Sequence, residues 1–114
     1  MKLDELIEIV DGKIAVGGKN PNLSFRLGFA SDLMSDVLTL REDDILLISG
    51  LANVQVIRTA ELSDISAILL VRNKNVSEQM LKMAADSDIT IITTQYSMFK
   101  ASGILYKNGL EPIY

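Results

Sequence analysis

Cysteine and histidine are both absent from the 114 residues of this chain. Their absence removes disulfides, thiol nucleophiles, imidazole bases and most zinc or copper sites in one step. Carboxylates, hydroxyls, Lys and Arg are what remains for chemistry. An excess of positive charge is also missing, because 11 Lys and Arg stand against 15 Asp and Glu for a net charge of −4. A mildly acidic small domain lacks the electrostatic footprint of a nucleic-acid binder, so no nucleic acid is expected as a partner. Long apolar runs are lacking too. Residues 45–48 and 67–71 are the longest, and they fall far short of the ~20 residues that a membrane span needs. The start, Met1-Lys2-Leu3-Asp4-Glu5, runs straight into acidic residues and does not read as a signal peptide. A cytoplasmic protein without membrane contact is the expectation.

Apolar residues make up 48% of the chain and charged residues 23%, ordinary values for a globular protein. At roughly 100–200 residues per domain, residues 1–114 form one domain. The mean hydropathy of +0.27 is high for so short a chain. Small domains bury a smaller fraction of their surface, so part of this apolar surplus is expected at a subunit contact. A homodimer follows as an expectation.

From Asp44 onward, solid apolar runs alternate with segments of helical period. Ile45-Leu46-Leu47-Ile48, Ala67-Ile68-Leu69-Leu70-Val71 and Ile89-Thr90-Ile91-Ile92-Thr93 read as strands buried on both faces. Asn53 caps a helix whose stripe is Val54 and Ile57, and Ser77 caps another carrying Met80, Met83 and Ala84. The last helix is predicted over 96–107, ending at Asn108-Gly109. Gly103 inside it costs roughly 1 kcal/mol against Ala, which predicts a neighbouring backbone in close contact. Three successive β-α units of this kind predict an α/β three-layer sandwich, with a mainly parallel sheet and helices on both faces. Before Asp44 the pattern predicts a short helix through Leu3, Leu6, Ile7 and Val10. Strands over 13–16 and 24–29 follow, and then a helix opening at Ser31 or Asp32.

Gly17-Gly18-Lys19 lacks the earlier Gly and the following Ser or Thr of a nucleotide P-loop, and reads as a turn. Asp32, Ser35 and Asp36 share one face of the predicted helix. First-turn acids favoured by the helix dipole explain them better than a magnesium site, so no metal and no cofactor is expected. No Gly-x-Ser-x-Gly elbow is present and no base stands ready for a serine, so no catalytic residue is assigned and the chain is not expected to be an enzyme. The three strand-to-helix loops should gather at the carboxyl edge of the parallel strands, where ligands of open α/β sheets bind. Helix-start amides there suit an anion. Arg72 and Lys74 add positive charge, and Asn53, Thr94 and Gln95 add hydrogen-bonding groups. These five are the candidate ligand-binding residues, for a nucleotide or another phosphate-containing small molecule.

Three stretches together resemble the DRTGG-domain family, in particular its small stand-alone members. They are Gly28-Phe29-Ala30-Ser31-Asp32-Leu33-Met34-Ser35-Asp36-Val37-Leu38, then residues 49–61 from Ser49-Gly50-Leu51-Ala52-Asn53 to Glu61, and residues 96–110 from Tyr96-Ser97-Met98 to Leu110. With the strands between them they cover most of the chain in the family's order. The Asp-Arg-Thr-Gly-Gly string itself is absent, and Val71-Arg72-Asn73-Lys74 stands at the end of the second parallel strand. The resemblance implies a fold like the N-terminal domain of HPr kinase/phosphorylase. Related domains are attached to phosphotransacetylases, cobyrinic-acid-synthase-like proteins and CBS-containing regulatory pyrophosphatases. It therefore implies a non-catalytic regulatory or interaction module that dimerises or meets a protein partner. The alternative it leaves open is a sensor for a nucleotide or other phosphate-containing anion.

Overall fold

The apolar runs become the middle of a single sheet in the computed structural model, which describes residues 1–114. The elements in chain order are α1 (Leu3–Ile9), β1 (Lys13–Val16), β2 (Leu27–Ala30), α2 (Met34–Val37), β3 (Ile45–Ser49), α3 (Val54–Leu62), β4 (Ala67–Leu70), α4 (Glu78–Asp86), β5 (Thr90–Thr93), α5 (Met98–Lys107) and β6 (Glu111–Pro112). The strands lie in the order β1-β5-β4-β3-β2-β6. β2 to β6 run parallel to their neighbours, and only β1 is antiparallel, beside β5. Every residue of β3 and β4 is buried, as strands covered on both faces must be.

Two cores lie on opposite faces of this sheet. One holds 16 buried residues and joins α2, α3 and α4 to the sheet through Val37, Ile57, Ala60, Met80 and Ala84. The other holds 13 and joins α1 and α5 through Leu6, Val10, Ala101 and Leu105. The three-layer α/β architecture expected from the sequence is the one observed. No helix is long and apolar enough to cross a membrane.

Four helices close in the same way. After α3, Asp64 N–H donates to Glu61 O (3.2 Å) and Ile65 N–H to Ala60 O (2.8 Å), with Asp64 at φ 55°. Asp11, Asp88 and Gly109 occupy the matching left-handed position after α1, α4 and α5, at φ 50°, 56° and 103°. These are Schellman caps, and Asp tolerates the left-handed region better than most side chains. A carboxylate is nonetheless the wrong charge at a helix C-terminus, and Asp64 shares a cleft with Asp43 and Asp44. Asp64→Asn keeps the backbone tolerance and removes the charge. It is expected to raise stability by about 0.3–1 kcal/mol at low salt, read by urea unfolding, with the gain shrinking as salt is added.

Several local expectations are corrected. The helix predicted to open at Ser31 or Asp32 starts at Met34, because the Ser31 hydroxyl accepts from Leu33 N–H (3.0 Å) in a turn. Asp32, Ser35 and Asp36 therefore do not share a helix face. Residues 24 and 25 are not part of β2, since they pair with the N-terminus instead: Phe25 N–H donates to Met1 O at 2.7 Å. Ser97 caps α5, its hydroxyl accepting from Lys100 N–H (3.1 Å), so Tyr96 lies outside the helix. Nothing lies within 4 Å of a Cβ placed on Gly103, so no backbone of this chain packs there. β6 was not foreseen. It is two exposed residues long, too short to leave a pattern.

Candidate functional site

The order of the strands decides which loops can form a site. The chain steps from β2 through β3 and β4 to β5 using α2, α3 and α4, all on one face. From β5 it returns across the opposite face through α5 to β6, beyond β2. The loops leaving β4 and β5 thus diverge to opposite faces, and the carboxyl edge between these two strands is the topological switch point, where open α/β sheets bind ligands.

Arg72, Lys74, Thr94 and Gln95 all fall on these two loops. Arg72 N–H donates to Tyr96 O (2.8 Å) and Asn73 N–H to Thr94 O (2.9 Å), so the loops are stitched together across the crevice. Arg72 and Asn73 both sit in the left-handed region, at φ 66° and 54°. Asn accepts this readily, but for Arg it costs of order 1 kcal/mol or more. Arg72 and Gln95 are exposed, and Lys74 is half-buried. Thr94 differs from the others in being buried, at 3% exposure. Its hydroxyl donates to Val10 O (2.6 Å) and accepts from Tyr96 N–H (3.1 Å), which commits it to shaping the loop. Asn53 stands one strand away, on the loop from β3 to α3. Its side chain accepts from Gln55 N–H (2.9 Å) as the cap of α3.

Two charged residues join this edge that the sequence pattern did not single out. β1 runs antiparallel, and its first residue, Lys13, pairs with Thr93 at the carboxyl end of β5. Lys13 and the preceding Asp11 therefore wall a cavity of about 210 Å³ together with Asn73, Thr93, Thr94 and Gln95. No local feature of residues 11–13 signals this. Only the direction of β1 does. Lys100 adds another cation nearby, its Nζ lying 3.9 Å from the centre of the Tyr96 ring.

The mouth beside β3 has the opposite character. Asp32 Oδ1 accepts from Ser49 Oγ (2.9 Å) and from Gly50 N–H (2.7 Å). That amide, which would otherwise face an anion, is taken by a carboxylate. The carboxyl edge thus carries Arg72 and Lys74 beyond β4 and Lys13 beside Asp11 at β1, and a carboxylate already bonded to the backbone at the β3 end. The Gly17-Gly18-Lys19 turn lies at the other edge of the sheet, where Gly18 N–H donates to Thr90 Oγ1 (2.9 Å) and Lys19 N–H to Asp88 Oδ1 (2.6 Å).

A crystal structure with the same fold contains the CBS and DRTGG domains of the regulatory region of a Clostridium perfringens pyrophosphatase, complexed with the activator diadenosine tetraphosphate. It is 16% identical to this chain, with a TM-score of 0.74 over 90% of this chain and 45% of that one. This chain thus spans just under half the length of that relative. A search of curated proteins finds none that matches it. The family model of the DRTGG domain matches residues 5–107, nearly the whole sheet with its five helices, and the chain belongs to the DRTGG-domain family.

Proposed function

We propose that this chain is a non-catalytic regulatory module that acts as a homodimer, with the outer face of α5 as the contact between copies. The carrying observation is what that face exposes. Phe99 is 91% exposed and Tyr106 is 68% exposed, with Gly103 open between them. The face is self-complementary in spacing. In an antiparallel pair of α5 helices with a two-fold axis between Ser102 and Gly103, Phe99 of one copy meets Tyr106 of the other. The small residues then face each other where the backbones come closest. A cytoplasmic setting suits such a module, which has no cysteine for an oxidising compartment to use.

Light scattering on the whole chain tests this. The expected mass is twice the 12.5 kDa of the monomer. Phe99→Asp should raise the dimer dissociation constant at least about thirtyfold, the equivalent of a 2 kcal/mol hot spot. It should leave the melting temperature of the monomer unchanged. A monomeric wild type, or a variant that dimerises as well as wild type, would reject this contact.

A second reading, a sensor for a nucleotide or other phosphate-containing anion, is favoured by the switch point between β4 and β5 and the cations there. The relative with the same fold comes from a regulatory region crystallised with a dinucleotide activator. In a thermal-shift panel, a true ligand at ~100 times its dissociation constant adds about 2.7 kcal/mol of stability. The double substitution Arg72→Ala with Lys74→Ala should remove that shift while the unliganded domain melts as before. A shift that survives the double substitution would move the site elsewhere.

A further inference from the structure

The cup walled by β1, β4 and β5 has a composition that a bare anion does not explain. Its walls carry no apolar side chain, and one of them is Asp11. An ionised carboxylate is an acceptor only and repels phosphate, so a pocket built for a phosphate group alone would be better without it. A vicinal diol is different, because its two O–H groups can donate together to the two oxygens of one carboxylate. The amides of Asn73 and Gln95 can both donate and accept, as sugar hydroxyls require. Positive charge stands on both flanks of the β5 end, on Lys13 in the β1 wall and on Arg72 and Lys74, which flank Asn73 in the chain beyond β4.

Resting on the sensor reading of this same edge, we infer that the cup binds the ribose of a nucleotide. Asp11 accepts from the 2′- and 3′-hydroxyls, Asn73 and Gln95 bond the remaining sugar oxygens, and Lys13 with Arg72 and Lys74 takes the phosphate. The size agrees with this division. A cavity of about 210 Å³ lies below the roughly 300–1,000 Å³ of pockets that enclose a whole ligand. It holds a sugar and leaves the base outside, so the site selects on the sugar more than on the base.

Titration calorimetry of the whole chain with adenosine monophosphate, its 2′-deoxy analogue and inorganic phosphate tests the inference. The ribonucleotide should bind at least about tenfold more tightly than the deoxynucleotide, the loss expected when a charged hydrogen bond is left unmade. Asp11→Asn, which Asn tolerates at this left-handed position, should bring that ratio below about threefold while phosphate binds as well as before or better. Lys13→Gln should weaken both nucleotides by a similar factor. Equal binding of the two nucleotides to wild type, or a ratio untouched by Asp11→Asn, would overturn the ribose assignment. If the nucleotides bind equally and the Arg72 and Lys74 substitutions abolish binding, the sensor reading stands and the cup fails. If none of the three probes binds, the ribose assignment falls, and the thermal-shift panel decides the sensor reading separately.

Discussion

Thr94→Val is expected to lower the stability of the domain by about 2–4 kcal/mol, although it replaces a hydroxyl by a methyl of nearly the same size. The Thr94 hydroxyl is buried and bonded on both sides, to Val10 O and from Tyr96 N–H. The first bond ties the C-terminus of α1 to the loop that leaves β5, across 84 residues of chain. With the hydroxyl gone, a carbonyl and an amide are both stranded, and each stranded group costs about 1–3 kcal/mol when buried. Urea unfolding at constant m-value measures the loss. Thr94→Ser, which keeps the hydroxyl, should recover most of it. A loss below about 1 kcal/mol would show that α1 is held by packing alone. The result also bears on the site, since Thr94 was singled out from sequence as a ligand group and the structure gives its hydroxyl another task.

Ile68→Ala and Leu69→Ala should each cost about 2–5 kcal/mol, the range for truncating a fully buried aliphatic side chain. The two are neighbours in β4 with 0% exposure, and they serve different cores. Ile68 packs under α2, α3 and α4, while Leu69 packs under α1 and α5. Either loss is a large share of the 5–15 kcal/mol by which domains are stable. Comparable costs would establish that both layers are true cores. A cost below about 1 kcal/mol for Leu69→Ala would mean that α1 and α5 rest on the sheet without stabilising it. Denaturant melts of the two single variants decide this.

The layers themselves were legible because burial on both faces leaves a plain mark. A strand covered on both sides has no polar face to maintain, so Leu46 and Leu47, or Ile68 and Leu69, stand side by side instead of alternating with polar residues. The caps were equally plain at Asn53 and Ser77, whose side chains accept from the first-turn amides as expected. The Schellman caps were less visible, because Asp at the left-handed position does not announce itself as Gly109 does. Asp32 misled for a related reason. Its spacing from Ser35 and Asp36 fits a helix, but its carboxylate bonds the end of β3 instead.

Determined by the sequence alone were the class of fold, the order of the β-α units and the edge at which their loops collect, because hydrophobic period and capping act over a few neighbouring residues. The direction of β1 was decided only in three dimensions, since a four-residue strand pairs either way until its partner is known. With it came the meeting of Asp11 and Lys13 with Asn73 and Gln95, residues some sixty to eighty positions apart. The same holds for the return of α5 across the far face, which creates the switch point between β4 and β5 and leaves Phe99 and Tyr106 turned outward. Contacts at that range depend on how whole elements stack, and no local pattern encodes them.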